Sequence, residues 1–215
     1  MKKAKTDAEI SLAADEFVWE SEGLTEAHQW ILPVVTRWLD REKARKVLDI
    51  GCGNGGFTKA LAGASRELLG IDASESGIEI ARQSGGQAEF LQATIGSSLP
   101  PDLRGYFDTV ISIEVIEHLL LPRDLFRRAR EALVPGGQLI LSTPYHGYWK
   151  NLALALAGKF DEHWHPLRDF GHIKFFSLPT LSQLFREEGF QVEECACVGR
   201  VPWLARSMVL RGQLL

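Results

Sequence analysis

A run of glycines between an apolar segment and a helical one most constrains the fold of this chain. In "VLDIGCGNGGFTKAL" (47–61), apolar residues typical of a buried strand lead into four glycines within six positions. Gly51 and Gly53 permit a tight turn and a close approach of the backbone to a ligand, because they carry no Cβ atom. The pattern therefore predicts a strand, a ligand-binding loop and a helix.

Strand-like and helix-like segments alternate along most of the remaining chain. The apolar strand-like runs are 46–50, 67–72, 88–94, 106–114, 138–144, 191–200 and 207–213. The runs at 46–50 and 138–142 are mainly apolar rather than alternating, which is typical of a parallel sheet covered on both faces. We predict an α/β fold: a doubly wound, seven-stranded, mostly parallel sheet flanked by helices.

Two segments lie outside this alternation. Residues 1–45 repeat apolar side chains every three or four positions and predict N-terminal helices, the second of which Pro33 either kinks or divides. Residues 144–176 form a long irregular insert, rich in aromatics and histidine, of a length usually reserved for functional loops or lids. Since no linker or repeat is evident, we treat residues 1–215 as a single domain.

Composition narrows the class of protein. The net charge of −4 disfavours nucleic acid as a partner, although residues 123–130 carry four arginines on what we interpret as a solvated helix face. Cys52, Cys195 and Cys197 lack metal-site spacing, and we expect reduced thiols. Neither a signal peptide nor an apolar stretch long enough to span a membrane is evident, so we expect a cytoplasmic location.

Two acidic residues indicate the kind of ligand. Asp49 lies inside the first predicted strand, where a carboxylate would repel a pyrophosphate but suit a ligand that carries an ammonium group. Asp72 ends the second predicted strand, where an acid can accept both hydroxyls of a ribose. A dinucleotide oxidoreductase is therefore disfavoured.

Two glutamates and a histidine occur among isoleucines in "SIEVIEHLL" (112–120). If the chain turns helical there, Glu114, Glu117 and His118 share one face at the strand ends. Such a set suits proton transfer or a divalent metal; Mg²⁺ prefers more oxygen ligands, whereas Mn²⁺, Fe²⁺ and Zn²⁺ tolerate imidazole. The insert offers three candidates for a fourth ligand: His163, His165 and His172.

Taken together, "VLDIGCGNGGFTKAL", "GID", "FDTVISIEVIEHL" and "ALVPGGQLILSTP" resemble the class I S-adenosylmethionine-dependent methyltransferase family over about residues 45–198. The resemblance implies a Rossmann-like methyltransferase fold with S-adenosylmethionine as cofactor. It implies that Asp72 holds the ribose, that Asp49 lies at the methionine end, and that Gln92 or Thr94 replaces an acid that many members place near the adenine. The implied cofactor residues are Asp49, Gly51, Cys52, Gly53, Asn54, Asp72, Ala73, Thr94, Ile113 and Glu114.

The "E-x-x-E-H" pattern and "GHIKFFSLPTLSQLF" are similar to the ubiquinone-biosynthesis O-methyltransferases, and small-RNA 3′-terminal 2′-O-methyltransferases share the first of them. By this resemblance His172 joins Glu114, Glu117 and His118 as a fourth ligand to Mg²⁺ or Mn²⁺. The leading interpretation is methyl transfer to a hydroxyl of a small apolar or phenolic acceptor, with His118 as the base. The alternatives are methylation of an RNA 3′-end ribose, or a non-catalytic cofactor-binding protein of the same fold.

The insert contains the segment "GYWKNLALALAGKF" (147–160), in which Lys150 and Lys159 flank an apolar run. We expect it either to cover the acceptor as a lid or to make a peripheral membrane contact. Trp149, Trp164 and Phe170 are candidates for an aromatic wall beside a flat acceptor.

Overall fold

The strands of the chain join one mixed sheet. The computed structural model describes residues 18–63, 66–164, 166–167, 170–199, 201 and 204–215. Within them the strands are β1 (Lys46–Ile50), β2 (Glu67–Asp72), β3 (Ala88–Gln92), β4 (Phe107–Ile113), β5 (Leu133–Pro144), β6 (Phe190–Val198) and β7 (Ser207–Leu214). Their order across the sheet is β3-β2-β1-β4-β5-β7-β6.

The helices flank this sheet. They are α1 (Glu26–Arg41), α2 (Gly56–Ala60), α3 (Glu75–Gln83), α4 (Arg123–Ala132), α5 (Tyr148–Leu156), α6 (Phe160–Trp164) and α7 (Leu178–Glu187). Single 3₁₀ turns cover Pro101–Leu103 and Ile116–His118.

The pairing of the strands confirms the predicted fold class. Strands β3, β2, β1, β4 and β5 pair in parallel, whereas β7 runs antiparallel between β5 and β6. Phe126 of α4 and Phe185 of α7 pack on one face of the sheet, and Val35 and Trp38 of α1 pack on the other. Burial on both faces explains why Val47, Leu48 and Ile50 of β1 are apolar without an alternating pattern.

Some predicted helix boundaries are wrong. The sequence "LPRDLFRRAREALVPGG" (121–137) predicts one helix, but its "LVPGG" end (133–137) belongs to β5, because Leu133 already pairs with Phe107 of β4. Helix α1 runs unbroken through Pro33. The helix predicted at 8–20 lies largely outside the described residues, and residues 18–20 are not helical.

The insert contains two short helices, one of them within the apolar segment 147–160 that was considered as a helix. Residues 144–176 hold the short helices α5 and α6 and so are less irregular than the sequence indicated. No helix among the described residues has the length and apolarity that crossing a membrane requires. The assignment of residues 1–215 to one domain and a cytoplasmic location stay predictions.

Candidate functional site

A cleft of about 1180 Å³ opens at the carboxyl ends of the parallel strands. Its walls come from the glycine loop after β1, from the residues that follow β2 and β4, from the insert, and from the start of β7. Six of the predicted cofactor residues line it: Gly51, Cys52, Asp72, Ala73, Ile113 and Glu114. This is the edge at which open α/β sheets bind their ligands.

The glycines of the loop are required by its backbone and by its neighbours. Gly51 has φ +83° and Gly53 has φ +53°, both in the left-handed region that favours glycine. A Cβ atom on Gly51 would lie 2.5 Å from Val115, and one on Gly53 would lie 2.3 Å from the indole of Trp19. The space we assigned to an approaching ligand is thus taken in part by side chains of the chain itself.

Trp19 is a wall of the cleft that the sequence did not reveal. Its indole packs across Gly53, and its backbone N–H donates to Ser76 Oγ at 3.1 Å. The side chain of Asn54 fastens the same segment by donating to the carbonyl oxygens of Ser21 and Gly23, at 2.8 and 3.2 Å. The structure therefore gives Asn54 an anchoring contact with the N-terminal segment.

Asp72 lies at the end of β2 with its carboxylate held by the backbone. Oδ2 accepts from the N–H of Gly53 at 2.7 Å, and Oδ1 accepts from the N–H of Ser74 at 2.8 Å. Burial raises the pKa of Asp72, while these hydrogen bonds oppose the rise. Each carboxylate oxygen retains accepting capacity, which suits a diol in the cleft.

Asp49 lies behind the lining of the cleft and is only 2% exposed. The hydroxyl of Thr58 donates to Asp49 Oδ2 at 2.6 Å, whereas Oδ1 has no hydrogen-bond partner among the described residues. Burial raises the pKa of Asp49 to about 7. An unsatisfied buried carboxylate oxygen beneath a ligand loop suits a cationic ligand group.

Two other predicted cofactor residues contribute differently from expectation. Cys52 packs on Phe90 in a small apolar cluster beneath the loop. The hydroxyl of Thr94 pairs with that of Ser97 at 2.6 Å, and its neighbours Ala93 and Ile95 line the cleft instead.

Glu114 does not share a helical face with Glu117 and His118, so that expectation is wrong. Its φ of +56° breaks any helical path out of β4. Its carboxylate instead accepts from the hydroxyls of Ser142 and Ser207, at 2.9 and 3.2 Å. Burial raises the pKa of Glu114 to about 7.

Glu117, His118 and His172 come together across the turn and the insert. One possible ligand atom from each lies within 4.8 Å of the others. Glu117 is fully buried; its Oε2 accepts from the Thr143 hydroxyl at 2.9 Å, while Oε1 lies 4.0 Å from His172 Nε2 and has no hydrogen-bond partner in the described part of the chain. Burial and the nearby Glu114 raise the pKa of Glu117 well above its usual range.

The ring of His118 is oriented by the insert. Its Nδ1 lies 2.9 Å from the carbonyl oxygen of Phe170 and 3.3 Å from that of Gly171. Carbonyl oxygens only accept, so Nδ1 carries the proton and Nε2 carries the lone pair of the neutral ring. His118 therefore has the tautomer that a base or a metal ligand at Nε2 requires.

The aromatic wall is only partly as expected. Trp164 stacks on Phe160 with ring centroids 4.4 Å apart, and both Trp164 and Phe170 line the cleft together with His163. Trp149 is 65% exposed and belongs to the outer surface of the insert. His165 lies outside the described residues.

Comparison with known proteins agrees with the geometry of the cleft. A family model described as a methyltransferase domain matches residues 25–195. This chain belongs to the methyltransferase domain family. The matched residues include the glycine loop, Asp72 and the turn that carries His118.

The relatives of this methyltransferase agree with the predicted type. Ubiquinone biosynthesis O-methyltransferase of Pseudomonas aeruginosa (strain LESB58) is 28% identical over 183 residues, covering 82% of this chain and 78% of that protein. The protein of the same name from Thiobacillus denitrificans is 28% identical over 189 residues, covering 78% and 80%.

Among solved structures, magnesium protoporphyrin IX methyltransferase from Synechocystis PCC 6803 with bound SAH has a TM-score of 0.68 at 18% identity. The match covers 100% of this chain and 90% of the Synechocystis chain. The likeness shows the fold. These comparisons confirm a class I S-adenosylmethionine-dependent methyltransferase with a Rossmann-like fold, whereas none of them supports a metal.

Proposed function

We propose that this methyltransferase moves a methyl group from S-adenosylmethionine to a hydroxyl of a small, apolar or phenolic acceptor. The observation that carries the proposal is the orientation of His118, whose Nδ1 bonds to the insert so that Nε2 is the basic nitrogen at the cleft. The O-methyltransferase names of the relatives support an oxygen acceptor. The aromatic rings of Trp164 and Phe170 support a flat, apolar one.

The candidate residues have separate roles in this reaction. S-adenosylmethionine supplies a methyl group already activated on a sulfonium. Asp72 accepts the ribose hydroxyls, and Asp49 stabilises the ammonium end of the cofactor from beneath the loop. His118 Nε2 takes the proton of the acceptor hydroxyl, and Glu114 and Glu117 support the turn that holds it. The aromatic wall orients the acceptor and excludes water.

The cluster of Glu117, His118 and His172 also fits a divalent metal. The unpartnered buried Oε1 of Glu117 and the proximity of two imidazoles provide a mixed oxygen and nitrogen set that suits Mn²⁺ better than Mg²⁺. A metal held there would use the lone pair of His118 Nε2 and would therefore replace the base: acting as a Lewis acid, it would itself lower the pKa of the acceptor hydroxyl. Glu114, the remaining predicted ligand, lies outside this cluster because Ser142 and Ser207 hold its carboxylate.

The outer surface of the insert supports a peripheral membrane contact as part of this proposal. Tyr148, Trp149 and Leu156 of α5 are 72%, 65% and 81% exposed, an apolar set of the kind found at lipid interfaces. Co-sedimentation with vesicles of phosphatidylglycerol and phosphatidylethanolamine tests this contact. Loss of sedimentation in Trp149→Ser would support it, and failure of the unmodified protein to sediment would reject it.

The acceptor class is tested by transfer of tritiated methyl groups into a cell extract, followed by separation into lipid-soluble, polar small-molecule, RNA and protein pools. Label in either small-molecule pool supports the proposal, and label in the lipid-soluble pool also supports a lipid-soluble acceptor. Label confined to RNA would favour the ribose methyltransferase alternative. No label, with S-adenosylhomocysteine still bound, would favour a non-catalytic cofactor-binding protein.

A further inference from the structure

Helix α5 has the reverse of the usual burial pattern. Lys150 is only 8% exposed, whereas Tyr148, Trp149 and Leu156 of the same helix are mostly exposed. A helix on a globular protein ordinarily buries its apolar residues and leaves lysine in water. The inward position of Lys150 therefore needs a compensating interaction.

The ammonium group of Lys150 is poorly compensated within the described chain. Its Nζ donates one long hydrogen bond, 3.4 Å, to the carbonyl oxygen of Arg206, and it forms no ion pair with a described carboxylate. An ammonium has three donors, and a buried charge without partners is costly. Glu114 attracts Lys150 electrostatically, but no hydrogen bond among the described residues joins Lys150 Nζ to that carboxylate.

Lys150 remains a cation where the cleft receives its ligands. It lines the cleft, and burial lowers its pKa to about 8, which leaves it mostly protonated at neutral pH. Arg206, a second cation, also lines the cleft and pairs with Glu26 at 2.7 Å. Glu26 and Glu114 also line the cleft and attract these cations, so Lys150 is distinguished by having no hydrogen bond or ion pair to a described carboxylate.

The position of Lys150 separates it from the cofactor loop. Its partner Arg206 immediately precedes β7, which is three places from β1 in the sheet. Three strand spacings amount to about 14 Å. The glycine loop follows β1 and Asp72 ends β2, so Lys150 belongs to the opposite end of the cleft.

We propose that Lys150 forms a carboxylate subsite, in which its ammonium group binds a carboxylate carried by the methyl acceptor. A carboxylate supplies both the opposite charge and the acceptor oxygens that the buried ammonium lacks. A neutral acceptor would leave the ammonium uncompensated and would bind more weakly. The inference rests on the proposed function in one respect, the assignment of this end of the cleft to the acceptor.

The first test compares two probes of similar shape, one with a carboxylate and the other with a neutral amide in its place. Calorimetry measures binding of 3,4-dihydroxybenzoate and of 3,4-dihydroxybenzamide at pH 7 to protein saturated with S-adenosylhomocysteine. We expect the benzoate to bind at least tenfold more tightly, Lys150→Met to abolish that preference, and Lys159→Met, at an exposed lysine of the same insert, to retain it. Equal affinities, no binding of either probe, or a preference that persists in Lys150→Met would overturn the subsite.

The second test separates ligand binding from a structural role. Removing an uncompensated buried charge should leave the melting temperature of the ligand-free protein unchanged or raised in Lys150→Met. The affinity for S-adenosylhomocysteine should also stay within twofold of the unmodified protein. A melting temperature lowered by several degrees, or a loss of cofactor affinity, would overturn the assignment. Neither test needs turnover, so absent methyl transfer with the benzoate preference intact would reject the proposed function alone.

Discussion

The Nδ1 atom of His118 lies 2.9 Å from the backbone carbonyl oxygen of Phe170, in a residue 52 positions further along the chain. The carbonyl oxygen of Glu117 reinforces this junction by accepting from the N–H groups of Ile173 and Lys174, at 2.9 and 3.0 Å. The turn after β4 and the returning end of the insert are therefore one unit. The returning end of the insert therefore orients the imidazole of His118.

Loss of the Asp72 charge should weaken cofactor binding. In Asp72→Asn we expect the affinity for S-adenosylhomocysteine to fall by at least about tenfold, because hydrogen bonds from ribose hydroxyls to a carboxylate are stronger than those to an amide. Calorimetry measures this, with Glu79→Gln, an exposed acid on α3, as the control. Near-normal affinity in Asp72→Asn would contradict the ribose assignment.

Adding a methyl group to the glycine loop should cost more than backbone strain alone. Gly53→Ala combines a positive φ with a Cβ placed 2.3 Å from Trp19, whereas Gly85→Ala has φ +67° and no atom within 4 Å. We expect Gly85→Ala to lower the free energy of unfolding by about 1 kcal/mol, and Gly53→Ala to lower it further. Urea unfolding measures both. Equal losses would show that Trp19 does not pack on this loop as described.

The buried Asp49 should make stability depend on pH. Its pKa is about 7 in the folded protein, whereas the ordinary pKa of an aspartate is 3.8, so the carboxyl group ionises at a lower pH in the unfolded chain. As pH rises from about 4 through 7, the folded state loses stability, up to about 4 kcal/mol. Asp49→Asn should therefore melt at a higher temperature than the unmodified protein at pH 8, by a margin that shrinks towards pH 4. A difference independent of pH would contradict the raised pKa.

A metal in the Glu117, His118 and His172 cluster should be detectable without turnover. Electron paramagnetic resonance would report bound Mn²⁺. The substitution His172→Ala should lower the affinity for Mn²⁺ at least tenfold. Glu162→Gln, an exposed acid of the insert, should bind Mn²⁺ as the unmodified protein does. Full methyl transfer after chelation, together with no Mn²⁺ signal, would remove the metal from the proposal.

The strands were predictable because a strand that is buried on both faces of the sheet is a short run of mainly apolar residues. β1, β2 and β7 begin where their apolar runs begin, and the acid at the end of β2 follows from strand–loop–helix order. The end of α4 was missed because the glycines of "LVPGG" were taken as the stop of the helix, whereas the pairing of Leu133 with Phe107 already draws residue 133 into the sheet. Tertiary pairing decides such boundaries.

Parts of the site depend on contacts that local patterns do not encode. Glu114 was placed on a helical face because its spacing from Glu117 and His118 suits one, yet its positive φ turns it towards Ser142 and Ser207. In the sequence, Lys150 only marks one flank of an apolar segment. Its burial could not be predicted, because it depends on the docking of α5 near Arg206.

The central claim, that His118 is the base of a methyl transfer, is tested most directly by His118→Gln in the tritium-transfer assay with cell extract. Glutamine keeps a polar side chain but cannot accept a proton, so we predict that label in the small-molecule pools falls at least about 100-fold. The affinity for S-adenosylhomocysteine should stay within twofold, since the residues proposed to contact its ribose and its ammonium group, Asp72 and Asp49, lie on β2 and β1. Label transfer at the rate of the unmodified protein would contradict the account.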